Sequence, residues 1–460
     1  MFGLCEASNI NKIMLPSKLS LRTLVNRVRN AHPDHHAIAR GMAWVALFVL
    51  LSSIARAAKE VAIAYRYGVS AEVDAYLFIF NLVSWPVSVW FSVLTVVLIP
   101  LAARIRQGAT EELPRFRSEL LGLTILIGLI LAFISWAGLP WLLHSPWTGL
   151  SDTTASIAIN MVPGLAWLAL LGTIISLFSA WMLAAGRHAN TLLESIPPLV
   201  ILLVLFAFPD GGAEPLVWGT LAGFAFHLAS LAVPLARQGE VDIPRFTRQS
   251  PQWTPFWQGF SIMLAGQVLM SFTGIIDQFF AAHLGTGAIA TLSYANRILL
   301  LLLGMGAMAV SRATLPIFSK AQAQGGEHVN RVAIHWVRLM FALGVVTMLV
   351  SWLLAPWGVK LLFERGAFTA EDTIIVAEVL RYGLTQLPFY FAAIVLVSLL
   401  SSQGRYQAIA LVAGSNLLVK LAALAIFTPV LGINGIAIST SVMYAAALLL
   451  LSFSTRNARK

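Results

Sequence analysis

Long runs of apolar residues, broken by short polar segments, constrain this chain more than any other feature. They fall near residues 42–65, 75–98, 119–143, 156–184, 191–208, 216–236, 257–282, 289–314, 333–355, 379–400, 407–427 and 434–454. A bilayer's hydrocarbon core of about 30 Å is crossed by roughly 20 apolar residues in a helix. Within it, backbone polar groups are satisfied only by helices or closed barrels. Barrel strands are about ten residues long and alternate in polarity, whereas these runs are longer and uniformly apolar. The expected fold is therefore an all-α polytopic membrane protein of about twelve transmembrane helices. With 58% hydrophobic and 11% charged residues, the chain lacks the charged surface of a soluble domain, which is about one quarter charged.

The basic residues mark topology. The net charge of +10 does not point to nucleic acid, because the lysines and arginines sit between apolar runs and form no single basic face. The tail carries Lys12, Lys18, Arg22, Arg27, Arg29 and Arg40, and every second loop is also basic: Arg104 to Arg117, Arg187, Arg237 to Arg248, Lys320 with Arg331, and Arg405. The alternate loops are nearly free of basic residues, except that after the ninth run, where Lys360 and Arg365 meet Glu364, Glu371 and Asp372. The positive-inside rule then predicts both termini in the cytoplasm. Residues 1–40 are expected to be a basic cytoplasmic tail without a cleavable signal peptide.

The chain also repeats itself. Glu60 to Gly68 and Asp277 to Gly285 are each eight residues apart, Pro100 corresponds to Pro316 at an offset of 216, and Gly186-Arg187 corresponds to Gly404-Arg405 at 218. Six runs separate each pair, which predicts two parallel six-helix repeats, 41–240 and 250–455, with the substrate path between them.

No nucleotide-binding loop, CxxC pair or HExxH occurs, so neither enzyme nor cofactor is expected. His32, His35 and His36 read as part of a solvated tail. Charges inside apolar runs are more informative, because each costs roughly 2.5–3.5 kcal/mol at the bilayer centre unless it faces a cavity or a partner. Arg56, Lys59 and Glu60 are three and four residues apart and share a helical face. Asp74 opens the second run, Asp277 lies in the seventh and Arg297 in the eighth. These six are the expected cavity residues, and a cationic cavity suits a pyrophosphate gripped by arginine. Arg312, Glu194 and Lys420 read as groups placed at an interface or snorkelling towards one. Pro86, Pro163 and Pro388 lie within runs and mark candidate bends.

Three segments resemble the MurJ/MviN flippases: LFERGAFTAEDT at 362–373, SYANRILLLLLGMGAMAVSRATLPIFSK at 293–320 and RAAKEVAIAYRYGVSAEVDAYLFIF at 56–80. The resemblance implies a V-shaped pair of helical bundles, alternating access, and undecaprenyl-pyrophosphate-linked saccharides as substrates. It matches Arg297 to the family's essential arginine, Lys59 to a second arginine, and Glu60 and Asp74 to acidic positions. Three departures stand out: Ser53 where the family has an arginine, an apolar stretch at 82–94 lacking another arginine near Val87, and twelve runs where peptidoglycan flippases usually have fourteen. They favour export of an exopolysaccharide or other surface-glycan unit, with a polymerase and glycosyltransferases of the same pathway and membrane lipid as partners. Lipid II flipping and cation-coupled drug antiport are the alternatives, and a non-transporting membrane scaffold is a further reading.

Overall fold

A computed structural model describes residues 33–108, 112–187, 190–322 and 326–456. Most of the expected tail, His32, and the side chains of His35, His36, Arg312, Lys320 and Arg331 lie outside what it describes. Among the described residues the regular elements are all helical. In chain order they are α1 (Pro33–Tyr67), α2 (Ala71–Gly108), α3 (Leu113–Leu143), α4 (Asp152–Leu165), α5 (Leu168–Ala184), α6 (Asn190–Leu193), α7 (Ile196–Ala207) and α8 (Glu214–Arg237). After a linker come α9 (Trp253–Ala282), α10 (Ala288–Gln322), α11 (Gly326–Phe363), α12 (Ala370–Leu384), α13 (Leu387–Ser402), α14 (Tyr406–Leu431) and α15 (Ile433–Arg456).

All twelve apolar runs fall on helix. Among the described residues, ten helical segments are long and apolar enough to cross a membrane, or eleven if the bent pair α4–α5 is one span. The first helix, α1, stands outside that count and carries Arg56, Lys59 and Glu60 in its C-terminal half. Large apolar side chains such as Phe133, Leu203, Phe206, Leu353 and Leu361 point outward. Such exposure is tolerable where the surrounding solvent is lipid.

Proline explains several breaks. It lacks an N–H and clashes with the preceding turn, so a helix is interrupted around it or begins with it. α4 holds Pro163 near its end and meets α5 at 49°. Pro388 starts α13 after the break at Thr385 and Gln386. Pro197 and Pro198 start α7, leaving Glu194 and Ser195 between two helices. α2 continues through Pro86 without a break.

α2 and α9 lie side by side and antiparallel. Three aromatic contacts run along their length: Phe78 with Phe279 at 5.2 Å, Trp85 with Phe272 at 5.3 Å, and Trp90 with Phe260 at 5.4 Å. Trp85 Nε1 also donates to Ser271 Oγ at 2.9 Å.

At one end the two halves are stitched together. Asp74 accepts from the backbone N–H of Gly287 at 2.5 Å and of Ala290 at 2.7 Å. Tyr294 donates to the Gly68 carbonyl at 3.1 Å, and the Ala367 N–H donates to the Tyr65 carbonyl at 2.7 Å. The RGAF turn thus sits on the tip of α1. Gly68 has φ +58° and Gly366 φ +65°. A Cβ on Gly68 would run into the Ala367 carbonyl, and one on Gly366 into the Tyr65 carbonyl. Glycine is needed at both, for its left-handed backbone and for the close approach.

Candidate functional site

A cavity of about 620 Å³ opens beneath this seal. α1 supplies Arg56, Lys59 and Glu60, and α10 supplies Arg297. Lys59 Nζ lies 2.9 Å from Glu60 Oε1, and Arg297 Nη2 lies 3.1 Å from the same oxygen. One carboxylate oxygen therefore bridges a lysine of the first half and an arginine of the second. Glu60 is itself nearly buried, and Arg297 keeps 41% of its side chain exposed. The Arg297 Nε is buried without a hydrogen-bond partner, so the guanidinium retains donors for a further acceptor.

The neighbouring wall holds Arg56, which donates to Ser53 Oγ at 3.1 Å, and Glu194 from the break before α7. Asn190 Nδ2 donates to Glu194 at 3.2 Å. His227 of α8 also lines the cavity, and its Nε2 is buried and unpartnered. Three cations, Arg56, Lys59 and Arg297, thus face two carboxylates, Glu60 and Glu194. The remaining wall is apolar or weakly polar, with Phe80, Val87, Phe91, Ile175 and Leu301 among its residues. Val87 lies where the resemblance places an arginine, and that part of the wall is uncharged.

Four of the six expected residues, Arg56, Lys59, Glu60 and Arg297, come together here. The other two do not. Asp74 is buried as the acceptor for the first N–H groups around α10, so it caps a helix of the opposite half. A carboxylate there satisfies orphan donors and complements the helix dipole. Asp277 is paired with Lys420 at 2.8 Å and lies outside the residues lining the cavity. Lys420 is buried, not snorkelling. Glu194 lines the cavity; the adjacent Pro197-Pro198 pair was the sequence signal of the break that places it there. His227 was missed, since a single histidine in an apolar helix has no spacing signature.

A family model described as Lipid II flippase MurJ matches residues 63–460. A probable lipid II flippase MurJ of Buchnera aphidicola is 23% identical over 374 residues, covering 79% of this chain and 73% of the relative. The lipid II flippase MurJ of Burkholderia cenocepacia is 24% identical over 429 residues, covering 88% of this chain and 81% of the relative. A solved structure of lipid II flippase MurJ in an inward closed conformation superposes with a TM-score of 0.78 at 21% identity, over 90% of this chain and 87% of that one. An inward-facing multidrug resistance MATE family transporter of the MOP superfamily follows at 0.72 and 16% identity, over 88% and 94%. These structural likenesses establish the shared fold. With the family model running from residue 63 to the last residue, the chain belongs to the lipid II flippase MurJ family.

Proposed function

We propose that this protein flips a polyprenyl-pyrophosphate-linked saccharide across the bacterial inner membrane, and that lipid II is its substrate. The observation that carries the reading is the Lys59–Glu60–Arg297 bridge on the cavity wall. At rest Glu60 neutralises two cations from opposite halves. An entering pyrophosphate offers several anionic oxygens to the same cations and to Arg56, and arginine binds such groups in a bidentate manner. Substrate and Glu60 then compete for Arg297, which couples head-group binding to the contact between halves. The halves are taken as 41–240 and 250–455, with both termini cytoplasmic. Membrane potential supplies roughly 2.3 kcal/mol per charge per 100 mV for moving an anionic head group outward.

Lipid II is favoured over an exopolysaccharide unit because the family model and the relatives carry that name. The exopolysaccharide reading keeps one observation in its favour, the uncharged wall at Val87. Complementation separates the two. Expression in a strain depleted of its own lipid II flippase is expected to restore growth. Failure to do so at normal membrane levels, together with rescue of a strain lacking an exopolysaccharide flippase, would overturn the choice of lipid II.

A further inference from the structure

α2 and α8 run in the same direction away from the sealed end: α8 begins beside Gly212, whose carbonyl accepts from Tyr67 at the tip of α1 at 2.7 Å. Their facing residues meet in register. Tyr76 and Thr220 share a hydrogen bond of 2.9 Å, and Phe80 and Phe224 meet edge to face at 6.4 Å. One turn further along the same faces stand Ser84 and His227, and both line the cavity. No hydrogen bond joins them. Ser84 Oγ and His227 Nε2 are each buried without a hydrogen-bond partner among the described residues, and His227 is only 5% exposed. A buried polar atom left unmade costs roughly 1–3 kcal/mol, so two at one level of one cavity point to an occupant with complementary groups. A hydroxyl and an imidazole exchange hydrogen bonds with uncharged hydroxyl and amide groups. The Phe80–Phe224 pair beside them offers ring surface to the C–H side of such a ligand. A few placed polar groups on an apolar wall are the usual make-up of a small-molecule subsite.

We propose that Ser84, His227 and the Phe80–Phe224 pair form the saccharide subsite of the cavity, where they bind the hydroxyl and amide groups of a neutral sugar ring. The inference rests on the reading that the cargo is a pyrophosphate-linked saccharide, and it adds which wall selects the sugar. The depths of the two sites agree with the order of groups in such a cargo. Glu60 lies seven residues before the end of α1 and Arg297 nine residues into α10, whereas Ser84 and His227 each lie thirteen residues into their helices. The sugar wall is therefore about 6–9 Å farther from the seal than the Glu60–Arg297 contact, at 1.5 Å of rise per residue. A pyrophosphate held by Lys59 and Arg297 thus places the sugar attached to it along α2 and α8.

The test compares binding of two lipids, undecaprenyl pyrophosphate and lipid II, to the purified full-length protein in detergent. His227→Leu is expected to weaken lipid II about tenfold, the loss of one or two hydrogen bonds, and to leave undecaprenyl pyrophosphate unchanged. Ser84→Ala is expected to act in the same direction by a smaller factor, and it carries the test alone if His227→Leu does not accumulate. Arg297→Ala is expected to weaken both lipids. Unchanged lipid II binding in the Ser84 and His227 variants overturns the saccharide subsite while leaving the pyrophosphate reading in place. Equal weakening of both lipids by either variant also overturns it, since a residue that merely supports the cavity wall would act on both. A wild type that binds neither lipid, or an Arg297→Ala protein that binds both normally, overturns the pyrophosphate reading and the subsite with it.

Discussion

Glu60 decides the charge state of the cavity. With Lys59 at 2.9 Å and Arg297 at 3.1 Å, it holds both cations in place and also competes with any anion for them. Glu60→Gln is therefore expected to strengthen binding of a pyrophosphate head group while slowing flipping at least about tenfold, because release of substrate no longer has a returning carboxylate to drive it. Binding to a soluble pyrophosphate-bearing analogue, measured beside transport in proteoliposomes, checks this; a variant that transports normally would remove Glu60 from the cycle. Arg297→Ala is expected to lose transport with normal protein level, since it removes the only second-half lysine or arginine among the described residues that line the cavity. Arg297→Lys is expected to retain only part of the activity, as an ammonium lacks the bidentate fork. Legibility at this scale depended on distance along the chain. Arg56, Lys59 and Glu60 were readable as a set because helical spacing alone joins them. The partners of Asp74 and Asp277 lie beyond the reach of any local pattern: Asp74 caps backbone at Gly287 and Ala290, and Asp277 meets Lys420. Repeat symmetry suggested that Asp277 lines a cavity as Glu60 does, but the second-half residue answering Glu60 is Arg297.

Among the elements, the linker between α8 and α9 shows how one buried group can fix a long connection. Glu119, near the start of α3, is 1% exposed. It accepts from Thr247 Oγ1 at 2.9 Å, Gln249 N–H at 3.0 Å, Ser250 N–H at 3.1 Å and Trp253 Nε1 at 2.7 Å. The Arg187–Glu240 pair at 2.6 Å and the Arg117–Asp242 pair at 3.7 Å hold the preceding residues. The linker is thus strapped to the first half, and α9 leaves from a fixed point beside α2. Removing the carboxylate strands four donors, and each buried donor left unmade costs roughly 1–3 kcal/mol. Glu119→Ala is expected to lower the unfolding temperature markedly, with a loss of transport that tracks the loss of folded protein. Glu119→Gln, which keeps one acceptor oxygen, is expected to fall between. Unchanged stability in Glu119→Ala, read by a thermal unfolding scan, would show that the linker is held by the surface pairs. The apolar run at 119–143 was plain in the sequence, but nothing marked Glu119 at its edge, because its four donors lie 128 to 134 positions away.

For the whole molecule, the arrangement of contacts between halves determines which way the cavity can open. Asp74 to Gly287 and Ala290, Tyr294 to Gly68, and Ala367 to Tyr65 all lie at the end where α1 meets α2 and α9 meets α10. In the proposed topology, with both termini cytoplasmic, this end faces away from the cytoplasm, and the seal then closes the outer side and leaves substrate entry to the inner side. The twelve-run pattern made the helices and the repeat legible, because membrane solvation imposes length and polarity on each span separately. It could not show the seal, whose strength comes from backbone groups at glycine turns that have no hydropathy of their own. Opening the outer side requires parting the RGAF turn from the α1 tip, and the two glycines there set how closely the surfaces fit. An alanine at Gly68 meets the Ala367 carbonyl in a left-handed backbone, a conformation costing a non-glycine residue about 1–2 kcal/mol. Since the clash exists only while the seal is closed, Gly68→Ala shifts the balance towards an outward-open form. Cysteines placed at Ser84 and Ser88 on the cavity wall, with Cys5 replaced, are then expected to label faster with a membrane-impermeant thiol reagent added from outside in Gly68→Ala than in the parent. Equal labelling in both would mean that the RGAF turn is not the element that closes the path.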